Sequence, residues 1–185
     1  GQNSLYRSIR EVKEAMDEYR EQRISANLLT EDPDLSKFQN DNGSINEKIR
    51  SSYFSIIRRR GFAYSVSLND EIVGYYMLKV VSISPEDDEI YDDSDSPEYA
   101  AIFLDYIVVD TRFRKRGIGS NILKGIISFT KTVINQLPIR FLALKALQER
   151  KEWYEKHGFR AIEDSDSPIM LIDFLDKSEI DKYFR

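Results

Sequence analysis

The sequence predicts an α/β domain, of the α+β mixed-sheet kind, on three observations. Stretches rich in aromatic and β-branched residues recur at 62–68, 71–83, 102–109, 140–147 and 169–175, the pattern of strands. Stretches with helical apolar spacing lie among them at 120–136 and 149–157, so the later elements read strand, helix, strand, helix, strands. The length of 185 residues, with 41% apolar and 32% charged residues, fits one globular domain able to bury roughly 70% of the surface its unfolded chain exposes.

Residues 1–23 read as an amphipathic helical extension and 24–185 as the domain proper. In the extension, Leu5, Ile9, Val12, Met16 and Tyr19 are spaced four, three, four and three apart. Such a stripe packs on its own domain or pairs with a helix of another chain, a second copy included. Residues 24–30 form a short candidate strand. In EDPDLSKF, Pro33 suits the first turn of a short helix. Ser44 with Glu47 reads as a capping box opening a helix through Arg60, which Gly61 ends. Asn69 and Asp70 separate two strands and predict a tight hairpin turn. Residues 102–109 are apolar on both alternations except at Asp105. They predict a central strand covered on both faces, with one carboxylate on the face of Phe103, Ile107 and Val109. A helix begins at Ser120, Pro138 closes the next connection, and Gly158 stops the short helix 149–157. Ile162 and 169–175 supply closing strands, and DKSEIDKYFR a last helical turn.

Composition removes whole classes of chemistry. Without cysteine there is no thiol nucleophile, no CxxC redox pair and no thiolate metal site, and the cytoplasm is the default location. With His157 as the one histidine, the commonest zinc sites cannot be assembled, so no metal is expected. No apolar run reaches the length of a membrane span, and the chain reads as soluble, without a membrane partner. The net charge of −5 conceals an asymmetry, because eight acids crowd residues 86–98. That stretch reads as a solvated loop or as a lure for cationic substrates. Elsewhere, Arg58, Arg59 and Arg60, and Arg112, Arg114, Lys115 and Arg116, form basic clusters able to serve an anion site.

Chemistry is carried by VVDTRFRKRGIGSNIL, between the central strand and the next helix. Glycines there allow close backbone approach, and amide N–H groups at a helix start form an anion cradle suited to a phosphate or pyrophosphate. The alternative is an ordinary strand-to-helix turn with solvent-facing basic residues. Two rival nucleotide loops do not fit. A dinucleotide fingerprint needs a third glycine where Ile122 stands, and a P-loop needs Gly-Lys-Ser/Thr.

The loop Arg114-Lys115-Arg116-Gly117-Ile118-Gly119, after YIVVD and before a helix, resembles the Arg/Gln-x-x-Gly-x-Gly/Ala signature of the GNAT superfamily of N-acetyltransferases. A second signature, Tyr-x-x-x-Gly-Phe, stands as Tyr154-Glu155-Lys156-His157-Gly158-Phe159. The resemblance spans 24–174 in element order. It implies a central mixed sheet splayed between the strands at 102–109 and 140–147, with acetyl-CoA wedged into the opening. The cofactor set it implies is Ile107, Val108 and Val109 from the strand and Arg114, Lys115, Arg116, Gly117, Ile118, Gly119 and Ser120 from the loop. The main chain of Ile107 and Val109 would bond the pantetheine arm and acetyl carbonyl, and amides of 116–120 the pyrophosphate. Many relatives have Asn seven residues before the tyrosine and Ala four before it; here those positions are Leu147 and Arg150.

Acetyl transfer by direct attack needs a neutral amine, amide donors for an oxyanion, an acid for the leaving sulfur and a path for the amine's proton. Tyr154 is the candidate acid, because a phenol with a reference pKa near 10 is protonated at neutral pH. Its alternative is a buried tyrosine packing beside Trp153. Asp105 is the candidate base or water-holder. His157, at a helix end, stays outside the mechanism. Three functions follow from these residues. The first is acetylation of a small-molecule or protein primary amine. The second is acetylation of the α-amine of aminoacyl-tRNA, since the chain also looks like the GNAT toxins of toxin-antitoxin pairs. The third is an inactive acyl-CoA-binding module that works through its N-terminal helix.

Overall fold

The computed structural model describes residues 2–21, 24–85 and 98–183, so the acidic stretch at 86–97 lies outside the described residues. The element order is α1 (Gln2–Glu21), β1 (Ile24–Leu28), α2 (Gly43–Arg50), α3 (Ser52–Ile57), β2 (Phe62–Leu68), β3 (Glu71–Ile83) and β4 (Tyr99–Val109). It continues with α4 (Ile118–Val133), β5 (Ile139–Lys145), α5 (Lys151–Lys156), β6 (Arg160–Ala161), β7 (Ile169–Asp173) and α6 (Lys177–Tyr183). These strands form one sheet in the order β1-β2-β3-β4-β5-β7-β6. Every neighbouring pair is antiparallel except β4 with β5. The mixed sheet expected from the sequence is the one observed.

Both faces of the sheet are covered, which is why β4 reads as apolar on both alternations. On one face Val73, Leu78, Ile102, Leu104, Leu142 and Leu144 pack against Ile118, Ile122, Leu123 and Ile126 of α4. On the other, Ala63, Tyr75, Met77, Tyr106 and Val108 pack against Ile49 of α2, with Ile45 and Ile56 beside them. The β2–β3 turn is as expected: Asn69 and Asp70 both adopt positive φ, 50° and 65°, the backbone of the two-residue hairpin that matches strand twist.

Four expectations need correction, each for a local reason. EDPDLSKF forms no helix. The Asp34 carboxylate accepts the Ser36 amide at 2.9 Å, which competes with helical bonding, and Phe38 is drawn edge-on to Tyr75, 5.0 Å between rings. The N-cap of α2 is Asn42, whose side chain accepts the Ile45 amide, and Ser44 lies inside the helix. The single helix expected through Arg60 is broken at Ser51, where the Ser51 and Ser52 hydroxyls donate to the Lys48 carbonyl. Its end is made by Arg59, at φ 58°, with the Arg60 amide reaching back to the Ser55 carbonyl in a Schellman-like closure. Finally, α4 opens at Ile118, two residues before Ser120.

The correction with most bearing on chemistry concerns Asp105. Met77 faces Tyr106 while Leu78 faces Leu104, so Asp105 is the extra residue of a β-bulge, which breaks strict alternation. Ile107 and Val109 pack against the α4-side core. Asp105 instead turns to the α2 side, within 3.9 Å of Lys48 Nζ. The shared face expected for Asp105, Ile107 and Val109 does not exist.

On α1, Leu5, Ile9 and Val12 are each more than half exposed, and Arg7–Glu11 and Arg10–Glu14 pair at i, i+4. Among the described residues no helix is long and apolar enough to cross a membrane.

Candidate active site

Pairing between β4 and β5 runs from Ala100 opposite Ile139 to Leu104 opposite Leu144 and stops there. Beyond that point β4 continues to Val109 along β3 alone, so the sheet splays. The opening is a cavity of about 650 Å³, within the range of a small-ligand site. It passes through the sheet: Gly117 to Ser120 line it on the α4 side, and Ser44, Ile45 and Lys48 line it on the α2 side.

The direction of the β4 main chain follows from one bond. The Asp110 amide donates to the Val73 carbonyl of the β3 side at 2.8 Å. Because N–H and C=O directions alternate along a strand, Val108 also turns its main chain to β3. Ile107 and Val109 turn theirs toward the opening. Of the three strand residues expected to hold a cofactor, these two therefore present donors and acceptors to the cleft. Val108 lines the cavity while its N–H and C=O face the neighbouring strand.

Across the cleft, α4 begins without a side-chain cap. Gly117, at φ 76°, is its N-cap residue and offers no side chain to the first turn. That φ suits glycine, and the space a Cβ would take there holds no atom within 4 Å. The Asn121 amide reaches the Gly117 carbonyl. The amides of Ile118, Gly119 and Ser120 precede the first helical bond and have no partner within the helix. Lys115 also holds a positive φ, 65°, and this left-handed step turns the basic loop into the helix. Gly119 rests against Trp153 and Val109, so the loop is wedged between β4 and α5.

A buried carboxylate absent from the sequence reading holds this loop in place. Asp110 is fully buried. It accepts the Gln39 amide at 2.8 Å, the Arg112 amide at 2.9 Å, and the Arg112 guanidinium at 3.1 and 3.0 Å. Burial disfavours its charge, but the Arg112 side chain, the Gln39 and Arg112 amides and the guanidinium's charge outweigh it and hold its pKa below the ordinary 3.8. Arg112 also reaches Glu71 at 3.6 Å. It is thus a structural clamp; of the other basic residues of the cluster, Arg114 and Lys115 line the cleft, and Arg116 lies over the Phe113 ring at 5.3 Å. Arg114 approaches Asp41 at 3.5 Å. The chain around Asn40 to Asn42, strapped down by Asp110, forms part of the cleft wall.

Tyr154 has a buried ring, edge-on to Trp153 at 4.9 Å and to Phe159 at 5.7 Å. Both expected environments hold together: it packs beside Trp153, and it lines the cleft. Among the described residues no fully buried side-chain polar atom lacks a partner. The Tyr154 hydroxyl has no hydrogen bond among them, so it opens onto the cleft. Burial raises its pKa above 10, against a smaller lowering by Arg150. Arg150 lies over the Trp153 ring at 5.7 Å and lines the cleft with Leu147. His157 ties the two walls. Its Nδ1 lies 2.7 Å from the Trp153 carbonyl, which can only accept, so Nδ1 carries the proton. The other ring nitrogen, Nε2, is hydrogen-bonded to the Ser120 hydroxyl at 2.6 Å. Among the described residues no group of three or more His, Asp or Glu side chains could hold a metal.

The family model for the acetyltransferase (GNAT) domain matches residues 59–161, which contain β4, the Gly117 loop and Tyr154. The chain belongs to the GNAT acetyltransferase family. It is an acetyl-CoA-dependent N-acetyltransferase, and the uncapped helix start, the cleft-facing β4 main chain and the open tyrosine hydroxyl fit that donor. No curated protein matches the sequence. Solved structures with the same fold include one described as a bacterial toxin, with a TM-score of 0.71 and 17% identity over 88% of this chain and 95% of that one. Another is AtaT complexed with acetyl-methionyl-tRNAfMet, at 0.70 and 15% over 88% and 100%. A third is AtaTR bound with AcCoA, at 0.68 and 16% over 88% and 98%.

Proposed function

We propose that the chain acetylates a primary amine by direct attack, with the donor entering from the α4 side and the amine from the α2 side. The observation that carries this reading is the splay at Leu104, which leaves one continuous opening between an amide-rich helix start and a carboxylate-bearing bulge. Acetyl-CoA supplies the activated thioester. The amides of Ile118, Gly119 and Ser120, aided by Arg114, Lys115 and Arg116, bind its diphosphate, a role helix starts perform through partial positive charge. Ile107 and Val109 align the arm and the acyl carbonyl through their main chain. Tyr154 holds its proton on Oη, and because burial raises its pKa, it remains an acid across the working pH range. Asp105 takes the amine's proton or holds the water that does.

A second acceptor reading, the α-amine of aminoacyl-tRNA, is favoured by the likeness in fold to AtaT complexed with acetyl-methionyl-tRNAfMet along that protein's whole chain. Arg58 and Arg59, lying over the rings of Phe54 and Phe62, offer cations and aromatic faces of the kind nucleic acids use. Residues 1–23 serve as a helical extension outside the catalytic domain of 24–185. Its apolar stripe suits a helix of a second copy or of a partner protein. Thiol release measured with free amines, peptides and charged tRNA tests the main reading. Release with any of them, reduced in Tyr154→Phe, supports acetyl transfer. CoA binding without turnover by any amine contradicts it, and acetylated aminoacyl-tRNA selects the second acceptor.

A further inference from the structure

The α2 side of the cleft has an electrostatic arrangement that acetyl transfer as such does not require. Asp105 is pushed to this side by its bulge. Its Oδ1 lies 3.4 Å from Lys79 Nζ of β3 and its Oδ2 3.9 Å from Lys48 Nζ of α2. Two ammonium groups therefore attend this cleft-lining carboxylate, Lys48 from the cleft wall itself and Lys79 from behind it. The other carboxylates on the cleft wall are Asp41, already facing Arg114 at 3.5 Å, and Glu149. The place of Lys48 is fixed by its helix. Asn42 caps α2, and the Ser52 hydroxyl, 2.6 Å from Tyr106 Oη and donating to the Lys48 carbonyl at 2.6 Å, anchors its end to β4.

We infer that Lys48, with Lys79, is a specificity-determining residue that selects against polycationic amines and in favour of an amine whose carrier bears an anion close to the reacting nitrogen. The inference rests on the acetyltransferase reading only in assuming that a nitrogen enters from the α2 face. A polyamine must bring a second ammonium with the first. Near Asp105 that charge meets one anion and two cations at comparable range, so attraction is offset by repulsion. An anionic carrier meets the reverse. The Lys48 side chain is half exposed and its contact with Asp105 is long, so it can turn to a phosphate or carboxylate at the mouth without leaving a buried charge unpaired. Specificity of this kind is a difference of affinities in which the repulsive element matters as much as the attractive one.

The test uses the full chain saturated with CoA and two probe amines, O-phosphoethanolamine and spermidine, with dissociation constants measured by calorimetry. Wild type is expected to bind phosphoethanolamine at least tenfold more tightly than spermidine. Lys48→Glu is expected to reverse that order, and Lys48→Gln to fall between, with unchanged thermal melts showing that both variants fold. A wild-type preference for spermidine, a ratio unmoved within twofold by either substitution, or binding of neither amine to any of the three proteins overturns the inference. Failure of the acetyl-transfer reading is seen separately, as absence of thiol release from acetyl-CoA with every amine, while the ratio of the two constants still reports on Lys48.

Discussion

On the α4 side of the cleft, the groups proposed to hold the donor are chiefly main chain, the amides of Ile118, Gly119 and Ser120 and the cleft-turned peptide groups of Ile107 and Val109, with the side chains of Arg114, Lys115 and Tyr154 beside them. On the α2 side the groups at the opening are the side chains of Lys48 and Asp105, with Lys79 behind them, 3.4 Å from the Asp105 carboxylate. The donor half is fixed by the fold, because a splayed strand and an uncapped helix start exist wherever the backbone takes this path. The acceptor half can be rewritten by single substitutions. A shared donor with varied acceptors is what such a division permits.

Single substitutions on either side put that contrast to the test. The largest effect is expected from Gly117→Asp, which forces a side chain into φ 76° and sets an anion at the cradle. Affinity for acetyl-CoA, measured by calorimetry, should fall by on the order of 100-fold or more, as expected from loss of charge-assisted hydrogen bonds. Unchanged affinity would remove the loop from the donor site. Tyr154→Phe should lower kcat by roughly 100-fold, the lower end of general acid contributions, while the acetyl-CoA dissociation constant moves less than about twofold. An equal loss in both would make the tyrosine a packing residue.

Asp110→Asn tests the support beneath the donor half. Stability should fall by about 1–3 kcal/mol in urea melts at pH 7, the usual cost of breaking hydrogen bonds at a buried polar group. Its folded pKa lies below 3.8. The charged carboxylate therefore contributes stability fully above that value, and the contribution disappears as pH falls through the folded pKa. The gap between wild type and variant should narrow as the pH falls below 3.8, and a gap that does not change with acidification would contradict the clamp. The smallest effect is expected for Arg114→Ala. As an exposed charge with two long contacts, to Asn40 and Asp41 at 3.5 Å each, it should change donor affinity by roughly two- to fivefold, less at high salt.

Legibility in the sequence follows the same division. The geometry of the proposed donor half is legible because it is tied to short contiguous patterns: glycines before a helix, a strand running into them, and a tyrosine four residues before Gly158, which takes φ 96° where α5 stops. The hairpin at Asn69-Asp70 was readable for the same reason. The acceptor half was not, since it joins Lys48, Lys79 and Asp105 from three elements far apart in the chain. Asp105 stands out as a lone carboxylate in an apolar strand, but a bulge leaves no mark in the sequence, so alternation alone places it on the opposite face. Asp110 is, in the sequence, only the last letter of YIVVD. Its adjacency to a strand end and to Arg112 two residues on was a usable signal, since acids at such ends cap the turns that follow. The broken helix after Arg50 escaped because serine hydroxyls bonding back to Lys48 compete with the helix only once tertiary packing favours it.

The measurement that bears most directly on the central claim is a crystal structure of the chain with acetyl-CoA bound. The diphosphate is expected on the amides of Ile118, Gly119 and Ser120, the arm along the main chain of Ile107 and Val109, and the sulfur within hydrogen-bonding reach of Tyr154 Oη. Density for the coenzyme on another surface, or within the cleft but with its diphosphate away from the α4 start, would contradict that claim.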